Sequence, residues 1–224
     1  MKKIFLLSVI FVFSLFAQPV KADIIPVSTK SIKHYGVGVL NMPNSYTVYQ
    51  YPYWDSKIKR QVNYDNIKQS AIVNSLDMRQ VSYVAHVPSN HVALLTVDLD
   101  PGNNWYCVFL DQNTGETGWV YNSNPEAFMT YKKLFYKYGK KYGVRMFSDL
   151  PKAEKVLYAK EDLTSQVLEE LTYPKYINFT VIRGNWMLAS VRDISKQPKI
   201  GWFNWRNEDG TLNMFPNFKE QKER

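Results

Sequence analysis

A pair of dipeptides recurs in this chain at nearly constant distance. Asn104-Trp105 leads through an apolar run to Gly118-Trp119-Val120, and Asn185-Trp186 leads through another to Gly201-Trp202-Phe203. Gly-Trp returns after 83 residues and Asn-Trp after 81. In a chain of 224 residues, such a period marks tandem copies of one small unit rather than a single mixed fold.

The segments around these dipeptides read as strands and turns. In the first unit, Thr47-Val48-Tyr49-Gln50-Tyr51-Pro52 alternates ahead of polar Trp54-Asp55-Ser56-Lys57 and then Ile58. In the second, Lys155-Val156-Leu157-Tyr158 passes through Glu161-Asp162-Leu163-Thr164-Ser165 to Val167-Leu168. A strand, a polar loop and a second apolar pair form the pattern of a short β-arch. Ser56 and Ser165 lie 109 apart against the later offset of 83, so the first unit carries about 26 extra residues between Ile58 and Val92.

Inside that insertion, residues 60–90, the spacing of Ile67, Ala71, Ser75 and Met78 predicts a short helix over Asn63 to Met78. Strands are expected over Val81 to Val87, His91 to Leu99 and Trp105 to Leu110, with turns at Asp100-Pro101-Gly102-Asn103 and Asp111-Gln112-Asn113-Thr114-Gly115. The second unit repeats the pattern compactly: Tyr176 to Ile182, a turn at Arg183-Gly184-Asn185, Trp186 to Val191, then Ile200 to Phe203. The expected fold is mainly β, two small barrels in tandem joined by a short helix.

That helix is expected from about 125 to 138. Asn124 is a capping residue, Pro125 suits a first helical position and Glu126 adds an acid to the first turn. Phe128, Tyr131, Phe135 and Tyr138 follow at helical spacing, and Gly139 can end the helix. From Tyr131 to Arg145 the chain holds Lys132, Lys133, Lys137, Lys140, Lys141 and Arg145 with no acid. The resulting division is a first unit over 35–123, a helical basic connector over 124–142, a second unit over 143–218 and a tail over 219–224.

The N-terminus reads as an export signal. Lys2 and Lys3 precede an apolar run from Ile4 to Ala17, and Val20-Lys21-Ala22 offers small residues where a signal peptidase cuts. An apolar run of 14 residues at ~1.5 Å each is too short for a ~30 Å hydrocarbon core, so cleavage after Ala22 is expected rather than anchoring. No later segment resembles a membrane span. Cleavage removes Lys2, Lys3 and Lys21 and lowers the formal charge from +8 to +5. The expected location is the periplasm or cell surface, and export disfavours nucleic acid as a partner. With Cys107 the only cysteine, no intrachain disulfide staples either unit, which must be held by apolar burial.

Several elements resemble the bacterial Src-homology-3-like (SH3-like) domain. They are the arch, the hairpin strand Asn104-Trp105-Tyr106-Cys107-Val108, and Gly115-Glu116-Thr117-Gly118-Trp119-Val120. The final Gly-Trp-Val is that family's most recognisable element, and Val39-Leu40-Asn41-Met42 echoes its early strand. Gly-Trp units of secreted surface proteins, which bind anionic wall polymers, are similar in repeat length. The resemblance implies a five-stranded barrel closed by Gly118-Trp119 and by Gly201-Trp202, and a ligand groove formed in part by the first arch. On that basis Tyr49, Tyr51, Tyr53 and Trp54 are the candidate ligand-binding residues. Trp105, Trp119, Trp186 and Trp202 are read as structural, with Trp205 undecided.

Catalytic readings fare less well. A thiol nucleophile needs a histidine base within reach, yet Cys107 lies mid-strand and His34, His86 and His91 stand in no recognisable motif. His86 and His91 flank a turn with no acid or cysteine to complete a metal site, so neither metal nor cofactor is expected. Acid pairs such as Asp98 with Asp100, Glu161 with Asp162 and Glu169 with Glu170 read as adjacent acids on solvent-facing loops, and small barrels offer no deep cleft for glycoside hydrolysis. Lys132, Lys133, Lys137, Lys140 and Lys141 read either as a solvated helix face or as a patch for an anionic polymer or membrane surface. The expected function is non-catalytic binding of a cell-envelope component, peptidoglycan or an anionic wall polymer. The alternative is a periplasmic adaptor that holds an exported enzyme or a partner peptide.

Overall fold

The computed structural model describes residues 25–26, 34–43, 45–63, 81, 84–87, 92–99, 103–171, 176–192 and 197–218. The signal segment, the helix expected over most of Asn63 to Met78, His91 and the tail from residue 219 lie outside the described residues.

The chain is mainly β. Its first sheet contains β1 (Ile25–Pro26), β2 (Gly38–Met42), β3 (Ser45–Tyr49), β4 (Ile58–Asn63), β5 (Ala85–Val87), β6 (Val92–Leu99), β7 (Trp105–Phe109), β8 (Thr117–Tyr121) and β9 (Phe128–Thr130). Helical segments Tyr131–Leu134, Phe135–Gly139 and Lys140–Tyr142 follow as one helix, α1, whose middle segment has π geometry. The second sheet contains β10 (Val144–Met146), β11 (Val156–Tyr158), β12 (Val167–Glu170), β13 (Tyr176–Arg183), β14 (Trp186–Arg192), β15 (Lys199–Asn204) and β16 (Met214–Pro216).

Both sheets are antiparallel throughout and share one strand order. In the first, β4-β3-β8-β7-β6-β2-β9 are neighbours; in the second, β12-β11-β15-β14-β13-β10-β16 are, strand for strand. The pairs β3/β4 and β11/β12 shift register at matching places, Val48/Tyr49 and Leu157/Tyr158. The arches match atom for atom. Gln50 N–H donates to Lys57 O (2.8 Å) and Ala159 N–H to Gln166 O (2.9 Å), while Tyr51 N–H donates to Ser56 Oγ (2.9 Å) and Lys160 N–H to Ser165 Oγ (3.0 Å). Each pair lies 109 positions apart. The first sheet adds β5 within its insertion, and β5 carries β1 on its far side.

Two expectations need correction. The sheets are not closed barrels: among the described residues the outer strands are β4 and β9 in one and β12 and β16 in the other, and they do not pair. The last strand of each unit docks on the free edge of the first strand, β9 on β2 and β16 on β10, instead of returning to the arch. The helix starts later than its sequence pattern suggests. Asn124 Oδ1 accepts from Glu126 N–H (3.0 Å) and Asn124 O from Ala127 N–H (3.0 Å), which makes a tight turn. Phe128 to Thr130 are then captured as β9, and Thr130 Oγ1 caps the helix by accepting from Lys133 N–H (3.3 Å). The helix runs past Gly139 and stops at Gly143, whose φ of +79° suits glycine.

Two cores result. One lies inside the first sheet, with Leu40, Met42, Val48, Leu95, Val97, Val108 and Val120. The other fills the second sheet with Leu157, Phe179, Met187 and Phe203, and extends through Tyr131, Leu134 and Phe135 of α1 to Tyr35, Val39, Leu94 and Met129 of the first unit. Neighbouring residues of β2 and β6 point into opposite cores, so these strands are buried on both faces. Tyr131 donates to Tyr35 O (2.6 Å), and Arg206 donates to Gly36 O (3.0 Å) across the same junction. Burial pushes the Tyr131 hydroxyl well above its usual pKa, so it stays a donor.

Candidate functional site

Glycine decides which way each Gly-Trp faces. A Cβ on Gly118 would sit 2.5 Å from Val48 Cγ1, and one on Gly201 would sit 2.9 Å from Leu157 Cβ, so both positions look into a packed core. Alternation then turns Trp119 and Trp202 to the outer face, half-buried, and they do not close a barrel end. On that face, register partners form an apolar row: Ile58, Tyr49, Trp119, Cys107 and Leu99 in the first unit, and Val167, Tyr158, Trp202 and Leu188 in the second.

In the first unit this face builds an aromatic cluster. Trp105, 7 % exposed, is its base. Tyr49 meets Trp105 edge-on (5.4 Å), Tyr121 pairs with Trp105 across the hairpin (5.4 Å), and Trp54 reaches over from the arch to both (4.9 and 4.6 Å). Such ring pairs are worth about 0.5–1.5 kcal/mol each beyond their burial. They hold Trp54 in place although it is 62 % exposed. Beside it lies a groove of about 310 Å³ lined by Met42, Pro43, Ser45, Tyr46, Thr47, Tyr49, Trp54, Tyr121, Asn122 and Ser123.

Of the four rings singled out by sequence, Tyr49 and Trp54 line this groove. Tyr51 and Tyr53 are exposed and stack on each other (5.8 Å, 9° between planes) outside its lining. Tyr121 was not foreseen. Part of its signal was present, since two residues beyond Trp119 on one strand it must share that face; the register of β7 with β8 then sets it opposite Trp105. In the second unit the positions of Tyr51, Tyr53, Trp54 and Tyr121 hold Lys160, Asp162, Leu163 and Asn204. Of the ring contacts in that cluster, Tyr49–Trp105 is repeated among the described residues, by Tyr158–Trp186 (5.5 Å). There Arg183 sits over Trp202 (5.4 Å) and pairs with Glu161 (2.8 Å). Trp205 is structural: it is 4 % exposed, packs on Phe135 (5.1 Å) and donates from Nε1 to Gly184 O (3.1 Å).

The five candidate lysines, Lys132, Lys133, Lys137, Lys140 and Lys141, are all exposed on α1, whose other face is buried. Lys133 pairs with Glu126 (3.2 Å), while Lys137, Lys140 and Lys141 lie over Tyr138, Tyr136 and Tyr142. Cys107 is buried, and desolvation pushes its thiol up, away from the thiolate form. His34 stacks on Phe109 (5.2 Å). Glu161, Glu169 and Glu170 are engaged by Arg183, Lys199 and Lys152. Among the described residues no group of three His, Cys, Asp or Glu converges, and no helix is long and apolar enough to cross a membrane. No family model, curated protein or solved structure matches the chain.

Proposed function

We propose that this chain is a non-catalytic exported protein that binds a cell-envelope component, peptidoglycan or an anionic wall polymer, through tandem SH3-like units. The observation that carries this reading is the groove beside Trp54, where a largely exposed indole is held by three other rings. Exposed aromatic faces of this kind bind flat ligands with little loss of side-chain entropy. The lysine face of α1 adds attraction for anionic envelope polymers. The Lys2-Lys3 and Ile4 to Ala17 pattern supports export. The desolvated Cys107 and the stacked His34 support a non-catalytic role.

Sedimentation with purified sacculi tests this. Wild type is expected in the pellet, and replacing all five lysines by Gln removes the salt-sensitive part of that retention. Wild type remaining in the supernatant at low salt overturns the reading. A second reading, the adaptor, is favoured by one feature of the second sheet. Its strand β12, which is outermost among the described residues, exposes Val167 and Leu168, with Leu163 and Ile200 also exposed, so a partner's extended segment has an edge to join. Recovery of an exported protein on the immobilised chain, without retention on sacculi, is the outcome specific to that reading.

A further inference from the structure

We infer that the groove beside Trp54 takes an uncharged sugar ring, the N-acetylhexosamine type of an envelope glycan, rather than a charged stem peptide or an anionic polymer. This rests on the envelope-binding reading and narrows it to one chemical class at one site. The lining contains no Lys, Arg, His, Asp or Glu among the described residues. An ionic ligand would leave its charge without a counter-charge there, a cost that a neutral ring does not incur.

What the lining offers instead is aromatic surface and hydroxyl groups. Trp54 and Tyr121 contribute aromatic rings to the lining, and an aromatic face matches the C–H face of a pyranose. The hydroxyls of Ser45, Thr47 and Ser123 make no hydrogen bond to another described residue. Each can donate and accept, as the hydroxyls of a sugar require. The Asn122 amide is spent internally: it donates to Asn41 O (3.0 Å) and accepts from Asn124 N–H (3.0 Å), so it stiffens the groove wall. The volume of about 310 Å³ lies at the small end of the range of ligand pockets, roughly 300–1,000 Å³, and suits one or two rings rather than a long segment. The second unit has Leu163 and Asn204 where Trp54 and Tyr121 stand, so the site is confined to the first.

The test is a titration of the full chain with chitotetraose, an uncharged β-linked N-acetylglucosamine tetramer, followed by tryptophan fluorescence at 0.1 and 0.5 M NaCl and run beside the sacculus assay. Binding that is equal at both salt concentrations is expected, with affinity reduced about tenfold in Trp54→Ala and unchanged in Leu163→Ala. Tyr121→Leu, which keeps the fold's apolar bulk, is expected to weaken binding in the same direction. Retention on sacculi without any response to the tetramer overturns the sugar assignment and leaves envelope binding standing. Neither retention nor response overturns both. Binding that collapses at 0.5 M salt, or that is indifferent to Trp54→Ala, also overturns the assignment.

Discussion

The two arches share a skeleton and differ in their faces. A serine latch, a register shift and a core-facing glycine recur in both, at Ser56 and Ser165, Val48/Tyr49 and Leu157/Tyr158, Gly118 and Gly201. On that skeleton the first unit mounts Tyr51, Tyr53, Trp54 and Tyr121, and the second mounts Lys160, Asp162, Leu163 and Asn204. Duplication therefore repeats a backbone and its core contacts, while outward positions are free to diverge because neither core is built on them. The second unit instead gives its interior to the junction, where α1, Tyr35, Val39 and Met129 complete its core. On the proposed reading the first unit carries the binding face, while the core of the second packs against the junction.

The largest effect that can break this division is at the junction. Phe135→Ala is expected to cost about 3–5 kcal/mol, because the ring is fully buried between Phe179 and Trp205. Urea unfolding should show the loss in a single transition, since one cluster spans both units and the helix. Two separated transitions, with only the later half of the chain affected, would show the units to be energetically independent.

Next come the two glycines. Gly118→Ala and Gly201→Ala each force a methyl against a packed neighbour, Val48 Cγ1 in one and Leu157 Cβ with Tyr158 O at 3.1 Å in the other. Both should lose about 1–3 kcal/mol in thermal melts. Equal tolerance of alanine at either site would mean that the repeat does not fix the facing of its tryptophans.

Much of the duplication was legible in the sequence because it is written in short-range chemistry. The offset of 109 between Ser56 and Ser165 pointed to the arch correspondence that the bonds accepted by their Oγ atoms display. Strand ends, by contrast, depend on distant partners. Nothing local tells that Phe128 to Thr130 pair with β2 before the helix begins, and Asn124-Pro125-Glu126 serves a turn as well as it serves a helix start. The candidate site was half visible for the same reason. Tyr49 and Trp54 sit in one local segment, whereas Tyr121 joins them only through the pairing of β7 with β8 and of β3 with β8. Tyr51 and Tyr53 alternate in sequence like groove residues but sit on the arch beyond β3, where they stack on each other.

Smallest is a difference in acid sensitivity between the arch tips. Asp162 Oδ1 accepts from Thr164 N–H (2.8 Å) and Thr164 Oγ1 (3.0 Å), which holds its carboxyl below the usual carboxylate range. A depressed folded value means that its contribution is present above the unfolded pKa of about 3.9 and is lost as pH falls through the folded value. The tip of the second arch should therefore loosen below about pH 4, while the first, held by stacked Tyr51 and Tyr53, should not. Amide exchange at Thr164 compared with Asp55 checks this, and parallel behaviour of both tips would remove the distinction.

The division of labour between the units is tested most directly by retention on purified sacculi at 0.5 M NaCl, comparing wild type with Trp54→Ala and with its counterpart Leu163→Ala. The prediction is that wild type and Leu163→Ala sediment alike while Trp54→Ala loses most of its retention. Equal retention of all three, or a larger loss in Leu163→Ala than in Trp54→Ala, would contradict it.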